Sequence, residues 1–290
     1  MAEILDGKKL SQEVLTRLKK KIKSGNLKLG LAIIAIGKNK VSKVYLKQKK
    51  IACQNIGIGF RLYHLPKSIS QKRFEERIKK IIRIKENSGI VIQLPLPFNP
   101  LLTSRLFNLI PSQKDIDCLG QVNFSSFCQG NKIVMPPVVS AISKLFKKYK
   151  IQVKGKKVLI VGKGRLVGQP LITWLSKTEG EAVALRSPLP LQVLVADKST
   201  KDLAGLCRQA DIIISGAGQA NLIKGSMIKK GAIVIDVGAS TEKGRVLGDV
   251  EKTSVLKKAS FLAPVPGGVG PLTVACLLEN LIVLNSKNSR

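Results

Sequence analysis

The stretch VLIVGKGRLVGQPLITWL, residues 158 to 175, restricts the possible folds more than any other part of the chain. Val158 to Gly162 is a short apolar run suited to a buried parallel strand. Gly162, Gly164 and Gly168 follow, and an apolar, helix-like segment runs from Pro170 to Leu175. A strand that turns through glycines into a helix lets a phosphate approach bare backbone. There the free N–H groups and the helix dipole both favour negative charge. The spacing G-x-G-x-x-x-G is one residue longer than the usual dinucleotide fingerprint, and glycine turns also serve purely to connect elements. Three further segments supply context: 193–196 (VLVA), ending at Asp197, 211–215 (DIIIS) and 232–238 (AIVIDVG). Short apolar strands separated by helical lengths predict a parallel α/β sheet.

At 290 residues the chain is long for one core and comfortable for two domains. No apolar run of the roughly 18 residues needed to span a membrane is expected, and MAEILDGKKLSQEV lacks the design of a signal peptide. The five cysteines (Cys53, Cys118, Cys128, Cys207, Cys276) show no C-x-x-C pattern, which fits a reducing cytosol and argues against a structural zinc site. A formal charge of +32 raises the question of nucleic-acid binding. The lysines are dispersed in short groups, Lys19 to Lys21 and Lys147 to Lys150, and aromatics make up only 4% of the chain. That is too little ring area for a stacking platform, so attraction of anionic small molecules accounts for the charge as well.

In chain order, Leu10, Val14, Leu15, Leu18 and Ile22 mark a helix over 9–22 with a lysine-rich outer face. Residues 30–36 (GLAIIAI) predict a buried strand, and a helix from about Ser42 stops at Gly57. Ser42, Tyr45 and Lys49 share one face of that helix. Their spacing alone is equally that of a capping serine, a half-buried tyrosine and a solvated lysine. Residues 59–64 predict a strand and 68–85 a basic amphipathic helix. Gly89 to Leu94 (GIVIQL) predicts a buried strand running into Pro95-Leu96-Pro97, with the polar Gln93 at the strand end where α/β sheets bind ligands. Lys114-Asp115-Ile116-Asp117 follows an apolar helix, and a long connection leads to Pro136-Pro137 and a helix over 138–149. Near the end, Ala263 to Pro271 is a loop dense in proline and glycine whose backbone groups face outward. Leu272 to Leu284 predicts a closing helix packed on the first domain.

Together these segments resemble the bifunctional methylenetetrahydrofolate dehydrogenase/cyclohydrolase family. The matching stretches run from ILDGK (4–8) through SKVYLKQKKIACQNIGI, VIQLPLP, KDID, VGKGRLVGQP, GAIVIDVG and PVPGGVGPLTVA, and so cover nearly the whole chain. The resemblance implies an α/β protein of two domains: a Rossmann-like parallel-sheet nucleotide domain and an α/β folate-side domain, with a cleft between them. Residues 1–120, completed by the C-terminal helix 263–290, would form the folate side, and 121–262 the NAD(P)-binding domain. Carried over by motif, Tyr45 and Lys49 line the folate site together with Ile92, Gln93, Leu94 and Asp117, and the loop Pro264, Val265, Pro266, Gly267, Gly268 borders it. Cofactor contacts fall on Gly162, Lys163, Gly164 and Val167, on Asp197 and Lys198, and on Ala239.

The implied reactions are oxidation of methylene-tetrahydrofolate to the methenyl form, then hydrolysis to formyl-tetrahydrofolate. Hydride transfer needs two rings held face to face and no strong protein acid. Hydrolysis needs proton transfer, which a lysine performs when burial keeps it partly neutral. Lys49 is the candidate, with Gln93 orienting it, Tyr45 packing on the folate and Asp117 accepting N–H bonds from the pterin. His64, the sole histidine, sits apart from every motif.

Asp197 at a strand end favours NAD, whereas Lys163 and Lys198 favour the extra phosphate of NADP, toward which the family leans. A cytoplasmic homodimer acting on a small-molecule folate, with no nucleic-acid or membrane partner, is the expectation. The chain departs from the family at Cys118, usually glycine, at Pro136-Pro137-Val138-Val139, usually P-C-T-P, and at Gly164, often serine. A surface insertion is expected over 176–192. Two rival readings remain: another NAD(P)-dependent dehydrogenase of this architecture, such as one acting on a shikimate-like acid, and a basic nucleic-acid-binding protein.

Overall fold

The structure, a computed structural model, describes residues 1–37, 40–131, 133–183, 191–242 and 245–286. Its backbone divides into two compact units. Unit 1 comprises Met1–Leu10 and Val138–Thr273, and unit 2 comprises Ser11–Pro137 and Val274–Arg290. In chain order the strands and helices of the first half are β1 Glu3–Ile4, α1 Gly7–Ser24, β2 Gly30–Ile36, α2 Lys40–Ile56, β3 Gly59–Leu65, α3 Gln71–Ile82, β4 Gly89–Ile92, α4 Pro100–Phe107, α5 Gln121–Cys128 and α6 Pro137–Lys148. The second half adds β5 Lys157–Val161, α7 Gly168–Val183, β6 Gln192–Ala196, α8 Leu203–Gln209, β7 Ile212–Ser215, β8 Ile233–Asp236, β9 Ser240–Glu242, β10 Arg245–Leu247, α9 Lys252–Leu256, β11 Phe261–Ala263 and α10 Val269–Ser286.

Unit 1 is built on a six-stranded, all-parallel sheet in the order β1-β11-β8-β7-β5-β6. Its central strands are apolar on both faces, because helices cover a parallel sheet on both sides. Ile212, Ile213 and Ile214 are fully buried, as are Leu159 and Val234. The chain passes from β5 to β6 on one side and then returns across β5 to β7. The strand order therefore reverses beside β5, and the C-terminal ends of β5 and β7 flank the crevice where such sheets bind ligands.

Unit 2 carries a three-stranded parallel sheet, β3-β2-β4, with β2 buried along nearly its whole length. One face packs on α3, whose Phe74, Ile78 and Ile81 repeat at helical spacing and are buried with Ile34, Ile90, Ile92 and Phe107. Asn99 caps α4 by accepting from the Leu102 N–H at 2.8 Å, and Pro100 supplies the pre-set first helical residue. Along α10 the side chains from Val274 to Ile282 are almost all buried. Within that run Asn280 donates to the Ile116 and Met135 carbonyls at 2.9 and 2.8 Å.

Several expectations need correction. Contacts group Met1–Leu10 and the 263–268 loop with unit 1, because β1 and β11 extend its sheet, and group 121–137 with unit 2. The long connection after Asp117 contains α5, whose irregular apolar pattern gave no helical period. Residues 176–183 continue α7 and are not an insertion loop; 184–190 lie outside the described residues. One helix among the described residues, Val269–Ser286, is long and apolar enough by length and composition to cross a membrane, with 56% of it buried inside the protein. The small β9–β10 hairpin was not expected either; its three-residue strands are too short for an alternating pattern to register.

Candidate active site

Helix α2 and strand β4 of unit 2 bring together the residues singled out from their motifs. Lys49 lies one helical turn after Tyr45, and both are half-buried. Its ammonium donates to Gln93 Oε1 at 3.0 Å. Gln93 follows the last residue of β4; its N–H donates to the Ile34 carbonyl at 2.9 Å and its side-chain amide to the Leu94 carbonyl at 3.0 Å. Ser42 donates to the same carbonyl at 3.1 Å, tying the start of α2 to the segment after β4. Both the glutamine and the lysine are thereby held in one orientation.

Asp117 approaches along a parallel path. The Ile90 N–H donates to the Lys114 carbonyl at 2.8 Å and Ile90 bridges Asp115, so the Lys114–Asp117 turn runs beside β4. Asp115 is 2% exposed; its carboxylate accepts the Leu119 and Gly120 N–H groups at 3.2 and 3.0 Å and so shapes the turn around Asp117. Burial, with the charge of Asp117 adding to it, pushes the Asp115 carboxyl up to about 6 even though those N–H groups pull it down. Cys118 occupies φ +57° and is fully buried, so this chain places a side chain in the left-handed backbone region where glycine is at ease. Lys114 donates to the carbonyls of Ile82 and Ile84 at 2.8 and 3.2 Å, closing the end of α3.

The electrostatics suit proton transfer. Burial lowers the pKa of Lys49, against the opposing attraction of Asp117. Burial likewise raises the Asp117 carboxyl, against the pull of Lys49. A lysine whose charge is poorly solvated and faces one carboxylate can release and regain a proton, as a solvated surface lysine at neutral pH cannot. The Cys53 thiol, pushed up to about 12 by burial, stays protonated.

The other candidates divide. Ile92 is 2% exposed and its side chain belongs to the core, while Leu94 offers its carbonyl to Ser42 and Gln93. The Pro264–Gly268 loop follows β11 in unit 1, with the Gly268 N–H donating to the Pro264 carbonyl at 2.8 Å and Lys8 N–H to the Gly267 carbonyl at 2.9 Å. His64 sits on edge strand β3 and bonds the Gly37 carbonyl at 2.7 Å.

The glycine turn of unit 1 is built for close backbone approach. Gly162 takes φ +99°, and a side chain on it would press within 2.7 Å of the Gly216 carbonyl. A side chain on Gly168, the first residue of α7, would overlap the Gly162 carbonyl. Gly164 faces open space, so glycine in place of the serine common there leaves the turn intact. At the end of β6, Lys163 pairs with Asp197 at 2.8 Å, and the Ser199 N–H and hydroxyl bond the same carboxylate. The Lys163 ammonium and these bonds hold the Asp197 carboxyl well below the usual carboxylate range. Lys198 is exposed beside the pair, Val167 packs against Gly216, and Ala239 follows the turn after β8. A bare turn opening a long helix, with an acid and two lysines at the next strand end, fits a nicotinamide dinucleotide.

Two buried acids of unit 1, Asp236 and Asp249, were not picked out from the sequence. Asp236 closes the apolar strand β8 two residues before Gly238, and Asp249 follows Gly248 just past β10; an acid at the end of an apolar strand is a signal that marks the first, and no local pattern marks the second.

Comparison with known proteins gives a consistent picture. The catalytic-domain model of the tetrahydrofolate dehydrogenase/cyclohydrolase family matches residues 5–117, and its NAD(P)-binding-domain model matches 136–289. A bifunctional protein FolD from Nautilia profundicola is 38% identical over 283 residues, covering 96% of this chain and 95% of the relative. The crystal structure of the bifunctional dehydrogenase/cyclohydrolase FolD from Campylobacter jejuni superposes with TM-score 0.87 at 37% identity, covering both chains fully. That of the Trypanosoma brucei enzyme, complexed with NADP cofactor and an inhibitor, gives TM-score 0.88 at 30% identity over 100% of this chain and 99% of the other. A shikimate dehydrogenase from Aquifex aeolicus reaches TM-score 0.53 at 15% identity over 89% of this chain and 92% of the other, a likeness of fold alone.

Proposed function

Since the chain belongs to the tetrahydrofolate dehydrogenase/cyclohydrolase family, we propose that it oxidises methylene-tetrahydrofolate to methenyl-tetrahydrofolate with NADP and then hydrolyses the product to formyl-tetrahydrofolate. The observation that carries the reading is the Lys49 ammonium, desolvated, bonded to Gln93 at 3.0 Å and opposed by the charge of Asp117. The rival reading, a dehydrogenase acting on a shikimate-like acid, predicts no role for Tyr45 or Gln93.

The dinucleotide, when bound, accepts the hydride. The chain's own contribution to that step is a place to hold it: bare backbone at Gly162, Gly164 and Gly168, and the strand-end residues Asp197 and Lys198. Asp117 accepts N–H groups of the pterin, and Tyr45 offers a ring face and a hydroxyl. Hydrolysis is where the protein moves protons. Lys49 takes a proton from the water that attacks the methenyl carbon and returns it to the ring nitrogen as that C–N bond breaks; the second water proton leaves to solvent as the formyl C=O forms, while Gln93 keeps the lysine's lone pair or proton aimed.

Preference for NADP rests on charge. Lys163 and Asp197 neutralise one another, so the exposed Lys198 leaves the corner with a net positive charge for the additional ribose phosphate of NADP. Reduced nucleotide and methenyl absorbance, followed together with methylene-tetrahydrofolate and each nucleotide, test the whole reading. Higher kcat/KM with NAD than with NADP overturns the nucleotide choice. Lys49→Met abolishes hydrolysis and leaves nucleotide affinity unchanged; hydrolysis at the normal rate in that variant removes Lys49 from its role.

We further propose a cytoplasmic homodimer whose partner is the folate and neither nucleic acid nor membrane. The dispersal of the lysines supports the first exclusion. Edge strand β3, with Leu62 45% exposed, supports a second copy. Sedimentation of the full chain at micromolar concentration checks it: a monomer sinks the dimer.

A further inference from the structure

The parallel neighbours β7 and β8 end on polar residues, Ser215 and Asp236, which sit in register across the sheet. Behind them lies Asp249, just past β10. All three side chains are at most 1% exposed. The Asp249 carboxylate accepts the Ser215 hydroxyl at 2.7 Å, the Ala217 N–H at 2.6 Å and the Gln219 N–H at 2.9 Å. Asp236 accepts the Gly238, Asp249 and Val250 N–H groups, each at 3.0 Å. One acid therefore grips the turn after β7, and the other fixes the backbone that carries the first acid. The packing leaves no slack: a side chain on Gly238 would overlap the Asp249 carboxylate, and one on Gly248 would overlap that of Asp236.

The gripped turn abuts the glycine turn. A side chain on Gly216 would come within 2.6 Å of Val167, and one on Gly162 within 2.7 Å of the Gly216 carbonyl. Burying two carboxylates is costly, and an apolar pair would join the strands at less expense. What the acids supply instead is direction to backbone N–H groups at the C-terminal ends of the strands, on the ligand side of the sheet.

We propose that Asp249, braced by Asp236, is the positioning residue of the nucleotide site. It sets the 215–219 turn against the 162–168 turn and thereby determines how tightly and in what pose the nicotinamide nucleotide seats. The inference rests on the dehydrogenase/cyclohydrolase reading. Hydrolysis depends on Lys49, in the other unit, so the two activities separate a positioning role from a general loss of fold.

The test uses the full chain with Asp249→Asn and Ser215→Ala. Asparagine keeps the size but turns an N–H₂ toward an N–H donor; alanine removes one donor only. For Asp249→Asn the nucleotide Kd and the nucleotide KM of the dehydrogenase rise at least about tenfold, while hydrolysis of supplied methenyl-tetrahydrofolate stays within about twofold. Ser215→Ala moves Kd the same way by a smaller factor, and stands in if the asparagine variant does not fold. Unchanged Kd in the variant or variants that fold overturns the proposal, as does a parallel fall of both activities with thermal stability. If the wild-type chain has neither activity, the functional reading fails instead, and the Kd comparison alone still decides the role of Asp249.

Discussion

Lys49 draws its reactivity from where it sits. The same side chain on the outer face of α1 would be a solvated cation; here burial disfavours its charge and Asp117 partly restores it. The consequence for pH has a definite sign. In the hydrolysis proposed above neutral Lys49 is the base, so kcat for hydrolysis rises with pH through a midpoint below the ordinary lysine value. Replacing Asp117 by Asn removes the charge that raises this pKa, and the midpoint moves to lower pH. A pH profile of kcat for the two forms at saturating substrate checks the direction; a midpoint that moves up contradicts the pairing. Cys118 makes a second residue-level case. At φ +57° a β-branched side chain is strained, so Cys118→Val costs about 2 kcal/mol or more. Cys118→Gly stays within about 1 kcal/mol of wild type, because backbone relief offsets the lost burial of a small thiol. Urea unfolding of both variants measures the difference.

Elements bring distant side chains to the site through a few hydrogen bonds. Within unit 2, α10 reaches the Lys114–Asp117 turn through Asn280, which satisfies the carbonyls of Ile116 and Met135. Asn280→Leu fits the apolar surroundings in volume yet leaves both carbonyls buried without partners, at a cost of about 2–4 kcal/mol. The same change frees the turn that holds Asp117, so substrate KM rises more than nucleotide KM. Equal rises in both would mean that α10 supports the fold alone. Gly89, at the start of β4, belongs to the same contact: a side chain there would press on Leu281 of α10 and on Ile116. The strand's first residue must be small because the helix lies so close.

The molecule as a whole carries a formal charge of +32, and besides Asp117 burial raises the carboxyls of Asp115, to about 6, and Asp236, to about 7. Burial is the main cause in each, with backbone N–H groups opposing it. An acid raised in the folded state binds more protons there than in the unfolded chain between its ordinary value and the raised one. Stability from these groups is therefore complete below pH 4 and is lost as pH rises to about 6 or 7, roughly 3 kcal/mol for Asp115 and roughly 4 kcal/mol for Asp236. Asp236→Asn flattens that slope, which urea midpoints between pH 5 and 8 report. The excess positive charge repels itself across the surface, so added salt raises the melting temperature at constant pH. A melting temperature that falls with salt from 0.05 to 0.3 M would count against self-repulsion.

Where periodic burial dictates structure, the linear order of residues was sufficient. Strands β2, β5, β7 and β8 are continuous apolar runs because helices cover both faces of a parallel sheet, and α1, α2 and α3 show one apolar stripe. The nearness of Lys49 to Gln93 and to the charge of Asp117 was legible through motifs, since spacing alone left Lys49 as plausible on a solvated face. What no local pattern carries is which strand extends which sheet and which acid meets which amide. Residues 3–4 pair with 261–262, and Asp249 reaches back to Ser215. Such contacts join segments far apart in the chain, whose local sequences bear no trace of one another. Desolvation, the force that tunes Lys49 and Asp236, arises only once the surrounding core has closed.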